Sequence, residues 1–170
     1  MNQRFDHTFF CRDALVVAPE ILGKTLVRVL PDKTTICLPV TEVEVYLGTE
    51  DLACHASKGL TERNRVMFGP GGQIYMYLVY GMHWMFNIVT GAPGHPEALL
   101  IRSVGNIAGP GRVTKKLQMG RDFYGEDLVR SERIWLTDGP IIKTFSTGPR
   151  IGINYAGEPW VSMPWRYWIK

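Results

Sequence analysis

Acidic side chains that could do chemistry occur in residues 41–48, which read Thr-Glu-Val-Glu-Val-Tyr-Leu-Gly. Successive side chains of a β-strand point to opposite faces, so Glu42, Glu44 and Tyr46 should share one face, with the intervening apolar side chains facing a core. A carboxylate on such a face could act as a general base, which takes a proton from an attacking water. The simpler interpretation is a half-buried strand whose acidic side lies in water.

A second segment, residues 73–83, is dense in tyrosine. The same alternation places Tyr75 and Tyr77 on one face and Tyr80 on the other, so Tyr77 and Tyr80 should not face one pocket. The simplest interpretation of these rings is aromatic packing in a core. His55 follows the acidic strand closely, on a turn or helix packed beside it, and a lone histidine is usually structural. The pattern alone therefore leaves the role of these residues open.

The elements that must position these side chains are separated by glycine and proline. We predict strands over residues 24–30, 34–47, 74–80, 83–89 and 98–104, and helices over residues 19–22, 49–57 and 112–119. Residues 31–33 should form a hairpin turn between the first two strands. The predicted fold class is α+β: a single domain with a curved, mostly antiparallel β-sheet, short flanking helices and a protruding aromatic β-hairpin.

Length and composition limit the class of protein. A chain of 170 residues fits one domain, and we assign residues 1–170 to it. A net charge of +3 permits an anionic partner without requiring one. The longest apolar run, residues 74–89, is short for a membrane span, so we expect no membrane contact. The three cysteines include no Cys-x-x-Cys pair, which argues against a disulfide framework or a zinc knuckle and favours a reducing compartment.

Together these segments resemble the alkyladenine, or 3-methyladenine, DNA glycosylase family. The resemblance runs in order through residues 22–28, 42–48, 51, 55, 63–65, 67–68, 75–82, 87–88, 99–102, 109–110, 150–153 and 156–158. A dozen unrelated motifs are not expected to match in order by chance. One departure is plain: only residues 103–108 separate Arg102 from Gly109, where members of the family carry a considerably longer segment. Either this connection is naturally short or residues are absent from the sequence.

The resemblance implies a monofunctional DNA-3-methyladenine glycosylase. Such an enzyme flips a damaged purine, of the 3-methyladenine, 7-methylguanine, hypoxanthine or ethenoadenine class, out of duplex DNA. It then hydrolyses the N-glycosidic bond and leaves an abasic site. The implied partner is double-stranded DNA containing damaged purines, with no metal and no cofactor. We expect a monomer located inside the cell with DNA, in the cytoplasm or nucleoid of a bacterium or the nucleus of a eukaryote.

The resemblance also implies residue roles. Glu44 would position and deprotonate the attacking water, and Arg102 would hold that water and the carboxylate. The side chains that would form the base pocket are Tyr46, His55, Tyr77, Asn87 and Leu100. The residues that would contact DNA are Tyr80, which fills the gap left in the duplex, Met82, Arg63 and Arg65. An alkylated purine carries positive charge, and an aromatic face attracts a cation by about 0.5 to 2 kcal/mol.

Two other classes of protein compete with this interpretation. A zinc base deaminase is suggested by His95-Pro96-Glu97, but the Pro-Cys-x-x-Cys half of that signature is missing. A nucleic-acid binding module without catalysis is suggested by basic residues among the tyrosines: Arg63, Arg65, Arg112, Lys115 and Lys116. Glu44 discriminates against the module, because a carboxylate in a groove for phosphates weakens binding, whereas a hydrolase requires one.

Overall fold

The computed structural model describes residues 3–169, and within them nine strands join in one antiparallel sheet. The strands are β1 (Thr25–Val29), β2 (Thr35–Leu47), β3 (Ile74–Val79), β4 (His83–Thr90), β5 (Glu97–Val104), β6 (Ile107–Ala108), β7 (Ile134–Thr137), β8 (Ser146–Gly148) and β9 (Arg166–Trp168). The α-helices are α1 (His7–Phe10), α2 (Ala14–Ile21) and α3 (Pro110–Lys116), and the 3₁₀ helices are His55–Lys58, Arg65–Phe68, Arg121–Phe123 and Asn154–Ala156. The predicted α+β class is confirmed.

The longest strand, β2, organises the sheet. The strand order is β3-β4-β5-β2-β1-β7, β6 pairs with β5, and β9 pairs with both β2 and β8. The first part of β2 pairs with β1, and residues 40–47 pair with β5. The register shifts on both sides of Glu42, as in a β-bulge, which bends a strand. Beyond this bend, Glu44 lies between Leu100 of β5 and Arg166 of β9.

The core forms where the apolar face of β2 meets α2 and the neighbouring strands. Val43 and Val45 are fully buried there, as the alternation predicts. On the opposite face the simpler interpretation is wrong, because Glu44 is 0% exposed. Alternation reports which face a side chain occupies, but it does not report whether other segments cover that face. Here the chain around residue 151 covers it, and the backbone N–H of Ile151 donates to the Glu44 carboxylate.

Two predicted helices differ from the structure. The helix expected over residues 19–22 is α2, which begins five residues earlier and contains Pro19 in its interior. The side chain of Asp13 accepts the Leu15 N–H at 2.7 Å and caps its start, and apolar residues at helical spacing bury one face. The helix predicted over residues 49–57 is absent: the chain forms turns there, followed by a single 3₁₀ turn from His55.

The remaining strand predictions agree with the structure to within one or two residues. Helix α3 starts two residues before its predicted start and ends three residues before its predicted end, with Pro110 in its first turn. The sequence reading missed α1 and the short strands β6 to β9. None of the helices in residues 3–169 combines the length and apolar character of a transmembrane span.

Two tight hairpins shape the site. The β3–β4 hairpin turns through residues 80–82, where Tyr80 and Gly81 adopt φ values of 52° and 67°. At this tip Tyr80 is 89% exposed and Met82 is 70% exposed, so the protruding aromatic hairpin is confirmed. The short connection after Arg102 forms the β5–β6 hairpin, in which Val104 pairs with Ile107. Gly105, with φ 53°, allows that turn to close in two residues.

The turn before β3 generates a test of packing. At Gly71 a Cβ atom would overlap the carbonyl oxygen of Phe10, whereas at Gly120 it would meet only ordinary contacts, 3.5 Å and more away. We therefore expect Gly71→Ala to lower the free energy of unfolding by about 1 to 3 kcal/mol, because the backbone of α1 must shift. The control Gly120→Ala should change it by less than about 0.5 kcal/mol. Urea denaturation measures both, and equal effects would contradict the packing.

Candidate active site

A cavity of about 550 Å³ opens beside the β3–β4 hairpin. Eight of the eleven predicted site residues line it: Tyr46, His55, Arg63, Tyr77, Tyr80, Asn87, Leu100 and Arg102. The other three do not line it. Glu44 lies directly behind the wall, Met82 is at the hairpin tip, and Arg65 borders a neighbouring groove. Most of the residues predicted from the sequence therefore lie at one cavity. They come from strands β2 to β5 and from the segments between them.

Aromatic rings form one wall of the cavity. The rings of His55 and Tyr77 lie 4.6 Å apart between centroids, and those of Tyr75 and Tyr77 lie 5.4 Å apart. His55 Nδ1 is 2.8 Å from the Tyr75 hydroxyl. Burial, with a smaller contribution from the charge of Arg63, lowers the pKa of His55 to about 4, so its ring is neutral at neutral pH. The wall is thus an uncharged surface suited to a flat ring.

Glu44 is held behind this cavity by three partners. Its Oε1 accepts the backbone N–H of Ile151 at 2.7 Å, and its Oε2 accepts the Tyr46 hydroxyl at 2.9 Å. Arg102 Nη1 lies 3.3 Å from Oε1. Burial raises the pKa of Glu44, although the charge of Arg102 opposes that shift. All three partners line the cavity, so Glu44 is one layer of side chains from any molecule bound there.

The hydroxyl of Tyr46 is a donor in this arrangement. Burial and the adjacent charge of Glu44 raise the pKa of Tyr46 well above its ordinary value, so the phenol keeps its proton. Asn87 is also fixed, since its Nδ2 donates to the carbonyls of Tyr75 at 3.1 Å and Met85 at 3.3 Å. Both side chains therefore meet the cavity in one orientation.

A buried ion pair that the sequence reading did not single out supports the site. Arg150 donates to both carboxylate oxygens of Asp51, at 2.6 and 2.9 Å, and both side chains are fully buried. The guanidinium also lies 4.8 Å from the ring centroid of Tyr46 and 5.0 Å from that of Trp165. Asp51 also accepts the backbone N–H groups of Leu47 and Ala53. These bonds hold the segment in turns, where a helix was predicted. The sequence held one signal for this pair: Asp51 and Arg150 both lie in segments that resemble the glycosylase family.

The hairpin tip corrects one expectation. Tyr80 was predicted to face away from the pocket of Tyr77, yet both residues line the cavity. The strand ends at Val79, and the left-handed backbone of Tyr80 breaks the alternation on which the prediction depended. The exposure of Tyr80 also argues against packing in the core of the hairpin.

The cations near the cavity differ from one another. Arg63 lies over the ring of Tyr77, 5.6 Å from its centroid, at the edge of the cavity. Arg65 is 3.7 Å from Glu62 and is largely exposed. The His95-Pro96-Glu97 motif has a structural use, because Glu97 accepts the N–H of Ala14 at the start of α2, at 2.8 Å. Glu97, the glutamate of the deaminase signature, therefore caps the start of α2.

Comparisons with known proteins identify the family. The family model for methylpurine-DNA glycosylase matches residues 8–108 and 105–170. The two matches overlap at residues 105–108, in the β5–β6 hairpin, where the connection is short. Matching so much of the chain, the model places this protein in the methylpurine-DNA glycosylase family. It is a DNA glycosylase, a hydrolase of N-glycosyl bonds in base excision repair.

Relatives agree with this assignment. A protein of Methanocella arvoryzae is 41% identical over 182 residues, covering 95% of this chain and 90% of its own. One from Myxococcus xanthus is 42% identical over 173 residues, covering 96% and 88%. One from Legionella pneumophila strain Lens is 41% identical over 182 residues, covering 99% and 95%. Each carries the name "Putative 3-methyladenine DNA glycosylase".

The raised pKa of Glu44 generates a test of stability. Between the ordinary carboxyl pKa and the raised one, the folded protein binds more protons than the unfolded chain, so this residue makes stability fall as pH rises. Glu44→Gln removes that loss while retaining a side chain of the same shape. We expect the variant to be more stable than the parent at pH 7, by on the order of 1 kcal/mol. The difference should shrink as pH falls towards the ordinary carboxyl pKa.

Thermal unfolding of both proteins across this pH range measures the difference. The exposed Glu50→Gln in the following turn is the control, and it should behave as the parent at every pH. A Glu44→Gln protein that is less stable than the parent at pH 7 would show that its ion pair outweighs the cost of burial.

Proposed function

We propose that this protein excises damaged purines, of the 3-methyladenine, 7-methylguanine, hypoxanthine and ethenoadenine class, from duplex DNA. The observation that carries the proposal is a fully buried carboxylate, Glu44, bonded to three residues that line an aromatic cavity. A cavity of about 550 Å³ is in the range of small-molecule sites and can accept a flipped base. The names of the relatives specify 3-methyladenine, which supports the first lesion of this class.

Recognition would depend on the aromatic wall and on shape. A base flipped into the cavity would stack on the rings of Tyr77, His55 and Tyr46, which attract a cationic purine more than a neutral one. Asn87 is held by two backbone carbonyls, so it cannot move aside for the exocyclic amine of guanine. Leu100 would add an apolar contact. Guanine would then fit less well than 3-methyladenine, hypoxanthine or ethenoadenine, which lack that amine. 7-Methylguanine keeps the amine, so its release would depend on its positive charge at the aromatic wall.

The chemical step would be a hydrolysis with a water nucleophile. Glu44 would accept the proton of that water, and its raised pKa strengthens it as a base. Arg102 would hold the water and the carboxylate together. The cationic or protonated purine then leaves with the electron pair of the N-glycosidic bond. No lysine occurs among the described residues lining the cavity, so no amine is placed to attack the sugar, and the product would be an intact abasic site.

Contact with the duplex would be made by the hairpin tip and nearby cations. Tyr80 and Met82 are exposed at the tip, where they could enter the space that the flipped nucleotide leaves. Arg63 and Arg65 are exposed beside the cavity and could meet phosphates.

The experiment that tests this function measures release of free base. Duplexes carrying each of the four lesions are incubated with excess protein, and the base is separated and quantified. We expect release by the parent protein and a 10² to 10⁴-fold slower rate for Glu44→Gln, since general-base assistance contributes about that much. Binding of lesion DNA should persist in this variant, because shape and hydrogen bonding are retained.

Glu50→Gln, at an exposed position in the turn that follows β2, is the control and should keep the parental rate. Failure of the parent protein to release any of the four bases, with tight binding of the same duplexes, would instead support a binding module. A rate for Glu44→Gln within twofold of the parental rate would remove Glu44 from the mechanism.

The hairpin tip generates a separate prediction. Tyr80→Ala should leave the melting temperature nearly unchanged, because the ring is exposed. It should reduce the flipping equilibrium about tenfold, since stacking on a base contributes roughly 1 to 3 kcal/mol. The fluorescence of an ethenoadenine in duplex DNA reports flipping. Tyr80→Phe retains the ring and should flip as the parent does, and a loss of flipping in both variants would show that the hydroxyl, not stacking, matters.

A further inference from the structure

Behind Glu44 lies a second carboxylate to which the proposed reaction assigns no role. Glu42 is two residues earlier on the same face of β2, with its side chain 17% exposed. Both of its oxygens have donors: Oε1 accepts from Arg102 Nε and Arg166 Nη1, each at 3.2 Å, and Oε2 accepts from the Ser103 hydroxyl at 2.8 Å. Three donors on a mostly buried carboxylate fix its position.

Arg102 connects the two carboxylates. Its Nε donates to Glu42, and its Nη1 lies 3.3 Å from Glu44. A guanidinium is a rigid planar fork, so a donor fixed at Nε determines where the Nη atoms point. Without this anchor the long side chain would regain rotamer freedom and would be aligned by Glu44 alone. Glu42 therefore binds Arg102 at Nε, whereas the proposed contact of Arg102 with Glu44 is made by Nη1.

We propose that Glu42 is a positioning residue, which holds the guanidinium of Arg102 against Glu44 and sets the charge balance around the general base. The inference rests on the proposed function of the cavity. Glu42 does not line that cavity but borders a separate groove with Thr41, Gly105 and Trp168. It therefore acts on the reaction through Arg102.

Two irregularities in the pairing of β2 with β5 make this geometry available. The extra residue is Thr41 of β2 at the shift between Val40 and Glu42, and Arg102 of β5 at the shift between Glu42 and Val43. The shifts of register on both sides of Glu42 place it opposite Ser103 of β5 and Trp168 of β9. Glu44 then lies opposite Leu100, so Arg102 extends from β5 between the two carboxylates. A regular strand would pair with β5 in a different register on one side of Glu42.

The pKa values of the two carboxylates shift in opposite directions. For Glu42, burial favours the neutral acid, but the hydrogen bonds from Ser103 and Arg166 and the charge of Arg102 outweigh it and lower the pKa. For Glu44, burial prevails and raises the pKa, and the negative charge of Glu42 adds to that rise. A site that separates two carboxylates in this way leaves one ionised as a fixed charge and the other suited to accept a proton.

The pH dependence must take in every ionisable group around Glu44. These are Glu42 and Tyr46 on β2, Tyr77 on β3, Arg102 on β5, Arg166 on β9, and Arg150 and Tyr155 on the C-terminal segment. The tyrosines have raised pKa values, so they do not change charge on the acid side of neutrality. Two groups of the site can then give an acid limb of the rate: Glu44, whose pKa is raised above the ordinary carboxyl value, and His55, whose pKa is lowered to about 4. The limb that Glu42→Gln moves is the one that reports Glu44.

The test is the pH profile of the single-turnover rate on 7-methylguanine DNA, a lesion that is already cationic and needs no protonation to leave. Glu42→Gln keeps an acceptor for Arg102 but removes the charge, so the acid limb should move to lower pH. Glu42→Ala removes the anchor too, and its plateau rate should fall roughly ten- to a hundredfold, the scale of a misplaced catalytic group.

Glu126→Gln is the matched control. Glu126 has the same 17% side-chain exposure and the same kinds of partner, Arg133 and Ser131, but lies outside the cavity. It should change stability and leave the acid limb and plateau at their parental values. A merely structural role for Glu42 would make its variants behave like this control, with lowered melting temperatures and an unmoved acid limb, and would overturn the inference.

A second measurement separates this inference from the function on which it rests. The carbon-13 shift of the Glu44 carboxyl, followed by NMR against pH, should show a lower pKa in Glu42→Gln than in the parent. An unchanged titration would overturn the inference even where base is released. Absence of release by the parent protein would overturn the proposed function, and with it the positioning role, whatever the titration shows.

Discussion

Burial of a carboxylate inside an antiparallel sheet is the constraint on which the rest of this structure depends. Taking an ion out of water costs several kcal/mol in a real protein, and only well-aligned partners offset that cost. Glu44 obtains them from a hydroxyl on its own strand, a guanidinium on β5 and a backbone N–H near residue 151. Segments separated by more than 100 residues in sequence must therefore meet, and the cavity is the space that remains beside their meeting point.

The ion pair of Asp51 and Arg150 is also buried and also needs aligned partners. It lies next to Tyr46, which donates to Glu44. Because both side chains are fully buried, each needs the other, and loss of one partner would leave an uncompensated charge. Their pairing fastens the chain around residue 151, which donates to Glu44, to the turn that leads into His55. Arg150 also packs on Tyr46, so the ring that donates to Glu44 is supported from behind.

The sequence predicted what depends on local pattern. Runs of β-branched and aromatic residues between turn residues predicted β1 to β5. Alternation of side chains predicted the common face of Glu42, Glu44 and Tyr46 and that of Tyr75 and Tyr77 in the cavity wall. It could not give the burial of Glu44, because two of the groups that enclose its carboxylate, Arg102 and the backbone N–H of Ile151, come from segments far away in sequence. The helix expected over residues 49–57 failed for the same reason, since Asp51 is bound by Arg150, 99 residues away.

The cost of Glu44 is also an argument about purpose. A neutral amide of the same shape could keep bonds to Ile151 and Tyr46 without the penalty for burying a charge. Arg102 would then remain balanced by Glu42 alone. A protein that only binds nucleic acid gains nothing from the extra carboxylate, which would repel phosphates. The proposed proton transfer would require it, and burial that raises its pKa, at a cost in stability, would make it a stronger base. Residues that lower stability are expected where function requires them, and the buried Glu44 is such a residue in this fold.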